Sequence, residues 1–91
     1  MKKVIKDEKL ARLYDLYKNI LTDVQKDFME DFVERDLTIT EIAQNNYISR
    51  QAANDAIKKA ISKFEKLEEK LGFYQIVTGL EKKIKKLGGE V

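Results

Sequence analysis

The sequence of 91 residues contains no cysteine, no histidine, no proline and no tryptophan, and only four glycines. Without cysteine and histidine, the chain has no disulfide scaffold, no thiolate or imidazole metal ligand, and no histidine base to activate a nucleophile. Proline is missing and every glycine follows residue 71, so the chain lacks the turn residues that a β-rich fold distributes along its length. We therefore expect an all-α binding protein that is not an enzyme and holds no metal or cofactor.

The composition predicts one small globular domain over residues 1–91. Hydrophobic residues make up 43% of the chain and charged residues 37%, which indicates a packed core with a heavily charged surface. No apolar run approaches the ~20 residues that a membrane span needs. Residues 1–7 are charged and lack the apolar core of a signal peptide. Together with the absence of cysteine, this predicts a cytoplasmic protein without integral membrane association.

The net charge of +2 conceals an asymmetry between the two halves of the chain. Residues 1–48 carry 8 basic and 10 acidic side chains, a net charge of −2, whereas residues 49–91 carry 10 and 6, a net charge of +4. The most acidic stretch is 23–36 and the most basic is 80–87. A polyanion would be attracted to the second half, although solvated lysine-rich helix faces would give the same pattern.

Two helices are predicted in the first third of the chain. Apolar residues at helical spacing place the first helix at about residues 7–20. Thr22 and Gln25 have the spacing of a capping box, so the second helix begins there and runs to about residue 34. The acidic residues on its other face match no calcium-binding loop, so we predict no metal site. The apolar positions are Leu10, Leu13, Tyr14, Tyr17 and Leu21 for the first helix, and Val24, Phe28, Met29, Phe32 and Val33 for the second.

The clearest motif lies at about residues 38–60. Thr38 and Glu41 form a second capping box, and residues 45–47 predict a turn after about two turns of helix. Ser49 then caps a new helix. A short capped helix, a tight turn and a second capped helix are the components of a helix-turn-helix. The core positions expected where its helices cross are Ala43, Ile48 and Ile57.

The apolar pattern continues beyond this motif. Alternating spacings of four and three residues predict one long fourth helix from Ser49 to Leu71, ended by Gly72. A C-terminal helix follows at about residues 73–87, in which Gly79 predicts a bend or fraying. We therefore expect a bundle of about five helices. A bundle this small covers its apolar stripes only in part, which favours a homodimer through the C-terminal helices or a partner helix.

In a helix-turn-helix, the second helix enters the DNA major groove and its first residues reach the base edges. An arginine there can pair with guanine, a glutamine or asparagine with adenine, and a lysine or capping serine with phosphate. Asp55 opposes such binding by its charge. The alternative is that these are ordinary solvent-facing residues on a helix used for packing. The predicted nucleic-acid-binding residues are Ser49, Arg50, Gln51, Asn54 and Lys58.

Residues 21–26, 41–43 and 48–52 resemble the YlxM family of bacterial helix-turn-helix proteins. That family is in turn similar to region 4 of sigma factors, so the resemblance implies a sigma-4-like helix-turn-helix fold. The similarity covers about residues 10–75, most of the chain. The sequence departs from the family pattern at three positions. Asn46 replaces a large apolar residue before the turn, Tyr47 occupies a turn position that relatives often fill with asparagine or glycine, and Ala53 stands where a valine is usual.

The resemblance also implies a function. Members of the family are linked to the signal recognition particle pathway, because they tend to be encoded beside its GTPases, and their motif implies DNA binding. We therefore expect a DNA-binding regulatory protein of that pathway, with duplex DNA as the favoured partner. One alternative is an accessory factor that binds the RNA or the GTPases of the signal recognition particle. Another is a peripheral membrane protein that uses the basic amphipathic segment 80–87.

Overall fold

A computed structural model describes residues 7–87, so the two ends of the predicted domain, 1–6 and 88–91, lie outside the described residues. Within that range the chain forms five α-helices and no strand. They are α1 (Glu8–Tyr17), α2 (Asp23–Val33), α3 (Ile39–Asn45), α4 (Arg50–Leu71) and α5 (Phe73–Lys86), with a 3-10 turn at Lys18–Ile20. The predicted all-α bundle, with its long fourth helix and C-terminal helix, is confirmed.

Local hydrogen bonds fix the ends of the helices. The Thr22 hydroxyl accepts from the Gln25 amide at 3.2 Å, and the Gln25 side chain accepts from the Thr22 amide at 3.2 Å. Thr38 and Glu41 form the same reciprocal pair, at 3.1 and 2.9 Å. Gly72 ends α4 in the left-handed conformation, with φ of 65°. Both predicted capping boxes and the predicted helix end are confirmed.

The core is built around α4, whose 22 residues make it about 33 Å long. Helices α1, α2 and α3 all pack against it. The two small residues Ala43 of α3 and Ala53 of α4 are both buried, so the helices of the motif approach closely. The buried side chains of α4 are Ala53, Ile57, Ala60 and Phe64, and those packed around them include Leu10, Leu13, Tyr14, Tyr17, Leu21, Met29, Phe32 and Ile42.

Two predicted core positions are wrong. The side chain of Val24 is 63% exposed, because it lies in the first turn of α2 on the side away from the core. Ile48 is 37% exposed, because it lies in the turn between α3 and α4, beyond the crossing of these two helices. Ile57, the other residue predicted at this crossing, is completely buried.

Two predictions about helix continuity are also corrected. The α-helical part of the first helix ends at Tyr17 rather than at about residue 20, since the chain tightens into a 3-10 turn. In this turn the Leu21 amide donates to the Lys18 carbonyl at 3.1 Å, and Leu21 is buried at its end. Gly79 does not interrupt α5, because a helix needs only backbone hydrogen bonds at this position.

Helix α5 packs mainly on α1 and leaves its other side open. The Arg12 guanidinium donates to the Glu81 carboxylate at 2.7 Å, and the Lys9 ammonium lies 5.5 Å from the centre of the Tyr74 ring. None of the residues of α5, all of which are described, is buried. The helix is therefore attached to the bundle along one side, in a molecule that measures 50 × 26 × 25 Å.

Candidate nucleic-acid interface

The turn that joins α3 to α4 is a Schellman turn. The Ile48 amide donates to the Ala43 carbonyl at 3.1 Å, and the Tyr47 amide donates to the Gln44 carbonyl at 3.3 Å. This pair of bonds satisfies carbonyls at the end of α3 and requires a left-handed residue directly after the helix cap. That residue is Tyr47, with φ of 55°. The turn brings the start of α4 close to the end of α3, as a helix-turn-helix requires.

Tyr47 occupies a backbone conformation that glycine or asparagine adopts at lower cost. Its side chain is 96% exposed, so replacing it removes almost no packing. We expect Tyr47→Asn to raise the free energy of unfolding by about 0.5–1 kcal/mol, measured by urea denaturation. Tyr47→Ala is the matched control, because alanine loses the same ring but keeps the strained conformation. Equal stability of the two variants would contradict this account of the turn.

The start of α4 presents three of the predicted binding residues together. The Ser49 hydroxyl caps the helix by accepting from the Ala52 amide at 3.0 Å. This bond uses the oxygen as an acceptor, so the hydroxyl proton can still be donated to a ligand. Arg50 and Gln51 are the first two residues of the helix, and both are exposed. The capped end therefore carries one cation, one amide side chain and one hydroxyl within reach of the same ligand.

The remaining predicted residues extend this surface along the helix. Arg50, Asn54 and Lys58 are spaced four apart, which places them on one face of α4. Asn54 and Lys58 are half-buried, whereas Asp55 beside them is exposed. The structure thus brings all five predicted residues onto one end and one face of α4. Their role in binding nucleic acid stays a prediction.

Helix α2 carries the opposite charge. Arg35 donates to the Asp31 carboxylate at 3.0 Å and to the Glu30 carboxylate at 3.3 Å, which neutralises part of this acidic face. Burial raises the pKa of the Tyr14 hydroxyl, and the nearby carboxylates of Glu34 and Glu30 raise it further. Among residues 7–87, no group of three acidic side chains is placed to hold a metal ion. Nor is any helix in this range long and apolar enough to cross a membrane.

The residue that sequence analysis missed is Glu68, which joins α4 to α5. Its Oε1 accepts from the Tyr17 hydroxyl at 2.7 Å and from the Tyr74 amide at 2.9 Å, and its Oε2 accepts from the Gln75 amide at 3.2 Å. The Tyr17 oxygen in turn accepts from the Phe73 amide at 3.3 Å. The side chains of Glu68 and Tyr17 therefore cap the first turn of α5. No local sequence pattern indicates this contact, because the two residues lie 51 positions apart.

Comparison with known proteins shows that this sequence is similar to a family of helix-turn-helix proteins with bacterial members. Residues 4–90 match a family described as "Putative helix-turn-helix protein, YlxM / p13 like". The chain is 40% identical over 75 residues to a UPF0122 protein of Fusobacterium nucleatum, an alignment that covers 82% of this chain and 73% of the relative. It is 44% identical over 64 residues to a UPF0122 protein of Malacoplasma penetrans, covering 70% of this chain and 60% of the relative.

A third relative, the UPF0122 protein of Staphylococcus haemolyticus, is 36% identical over 72 residues, covering 79% of this chain and 66% of the relative. The aligned part therefore spans between 60% and 73% of the length of these three relatives. The family match over residues 4–90 includes all five described helices.

Proposed function

Because the chain belongs to the UPF0122 family of helix-turn-helix proteins, we propose that it is a cytoplasmic, non-enzymatic regulatory protein that binds duplex DNA. The observation that supports this proposal is the exposure of Arg50 and Gln51 at the capped start of α4, directly after the turn of the motif. These are the positions from which a recognition helix reaches base edges. The net charge of +4 in residues 49–91, from 10 basic and 6 acidic side chains, also favours a polyanion.

The proposed roles follow from side-chain chemistry. Arg50 can donate two parallel hydrogen bonds to guanine, and Gln51 or Asn54 can pair with adenine. Lys58 lies two turns further along the same face and would neutralise a phosphate. Ser49 would donate its hydroxyl to a phosphate at the helix end, where the helix dipole also favours an anion.

The test is fluorescence anisotropy with labelled random-sequence duplex DNA, at low and near-physiological salt. We expect Arg50→Ala to weaken binding about tenfold, and Lys58→Ala to reduce the salt dependence by about one phosphate contact. Lys59→Ala is the matched control, because Lys59 is an exposed lysine on another side of the same helix. Equal losses in the Lys58 and Lys59 variants, or unchanged binding in the Arg50 variant with its helicity intact, would contradict the proposed surface.

The second proposal is an accessory role in the signal recognition particle pathway, through its RNA or its GTPases. It is favoured by the two faces of opposite charge, since exposed carboxylates on α2 such as Asp23 and Asp27 could meet a basic protein surface. Signal recognition particle RNA in the same anisotropy assay tests the RNA branch. A low-salt pull-down with the purified GTPases tests the protein branch, and recovery of neither GTPase would contradict it.

We also propose that the chain self-associates through its C-terminal helix. Four large apolar side chains of α5 and that of its C-cap residue are between 44% and 86% exposed, and a contiguous exposed apolar surface marks an interaction site on a soluble protein. A second copy would cover them. They are Phe73, Ile76, Leu80, Ile84 and Leu87.

A further inference from the structure

The exposed apolar side chains of α5 are arranged symmetrically along the helix. From Phe73 to Leu87 they are separated by three, four, four and three residues, with Leu80 at the centre. Steps of three and four keep all of them on one side of a helix. Phe73 also stacks on the ring of Tyr17 in α1, with their centres 5.9 Å apart. The other contacts of α5 with α1 use residues outside the stripe, among them Tyr74 and Glu81. The exposed part of Phe73 and the other four residues of the stripe are therefore available to a partner while α5 stays attached to its own bundle.

The spacing of these apolar residues is the same when read from either end of the helix. The stripe can therefore pair with an identical stripe that runs in the opposite direction. With a two-fold axis at Leu80, Phe73 of one copy meets Leu87 of the other, and Ile76 meets Ile84. Every large apolar side chain of the stripe then has an apolar partner. A two-fold interface of this kind is closed and self-complementary, so it produces a dimer rather than a fibre.

The charges of α5 favour the same orientation. Four lysines, at positions 82, 83, 85 and 86, lie in its C-terminal half, and all are exposed. Parallel pairing would place the two lysine groups side by side, whereas antiparallel pairing moves them to opposite ends. There each group lies towards the α4–α5 junction of the other copy, where the exposed charges of Glu65, Lys66, Glu69 and Lys70 cancel. The antiparallel arrangement therefore avoids the repulsion between the two lysine groups.

We infer that two copies of this chain pair their α5 helices antiparallel about a two-fold axis at Leu80. The inference rests on the proposed self-association and adds its geometry. It also bears on DNA binding, because a two-fold axis relates the two copies of Arg50. The DNA site would then consist of two inverted half-sites.

Sedimentation equilibrium of the full chain, over the micromolar range, tests self-association first. We expect a dimer whose dissociation constant rises at least about tenfold in Leu80→Asp, which places two carboxylates against each other at the axis. Val24→Asp is the control, because it makes the same kind of change at an exposed valine of α2. A monomer at every concentration would overturn both the self-association and its geometry.

Cross-linking tests the geometry separately, since the chain has no cysteine of its own. Ile76→Cys and Ile84→Cys are treated with a short bismaleimide, each alone and as an equal mixture. Antiparallel pairing predicts that dimers form efficiently only in the mixture, by joining position 76 to position 84. Efficient cross-linking of each variant alone would show a parallel dimer and overturn the inference. A wild-type dimer that Leu80→Asp leaves intact would overturn it as well.

Discussion

Replacing Phe64 by alanine is expected to lower the free energy of unfolding by about 3–5 kcal/mol. Phe64 is completely buried, and its ring stacks against that of Tyr17 with their centres 6.4 Å apart. It lies on α4, the helix around which the core is built, so its removal leaves a cavity that the surrounding helices can fill only in part. Since a domain of this size has a total stability on the order of 5–10 kcal/mol, a large part of that stability would be lost.

Urea denaturation followed by circular dichroism measures this loss. Phe73→Ala is the informative control, because Phe73 stacks on the same Tyr17 ring at 5.9 Å but is 44% exposed. Its loss should cost about 1 kcal/mol, since solvent already reaches one side of the ring. Both variants are compared at low micromolar concentration, to limit the contribution of the proposed dimer. Equal losses would contradict the assignment of Phe64 to the centre of the core.

The parts of the fold that could be predicted from the sequence are those set by residues close to one another in the chain. A capping box such as Thr38 with Glu41 is defined by residues three apart, and Gly72 directly follows the helix that it ends. The two wrong predictions of burial have a different origin. Val24 and Ile48 are apolar, but whether such a residue is buried depends on how neighbouring helices cross, which helical spacing does not determine.

The same distinction, between contacts close in the chain and contacts distant in it, applies to the candidate interface and to the capping of α5. The grouping of Ser49, Arg50 and Gln51 follows from the cap, so their common position at the start of α4 could be predicted. Glu68 could not, because its hydroxyl partner Tyr17 lies 51 residues away and only the folded chain brings them together. An acidic residue near the end of a helix also gave no reason to expect a capping role, since carboxylates usually stabilise the opposite end.

The second large effect is expected at Glu68. Its carboxylate and the Tyr17 hydroxyl satisfy amides in the first turn of α5, which Gly72 cannot cap because it has no side chain. Glu68→Ala should therefore lower the free energy of unfolding by about 1.5–3 kcal/mol, the usual range for hydrogen bonds to a charged group. The control is Glu69→Ala, the same substitution at the exposed next residue, which should change stability by less than about 0.5 kcal/mol.

The same carboxylate should make stability depend on pH. Burial raises the pKa of Glu68, but the hydrogen bonds from the Tyr74 amide, the Tyr17 hydroxyl and the Gln75 amide outweigh it, so the folded pKa lies below its ordinary value. A group whose pKa is lowered by folding stabilises the protein above its unfolded pKa, and this stabilisation is lost as the pH falls through the folded pKa. We expect Glu68→Gln to reduce the loss of stability on acidification, relative to the unmutated chain, in urea denaturation from neutral pH to about pH 3. An identical pH dependence in the variant and the unmutated chain would show that Glu68 does not anchor α5 through its charge.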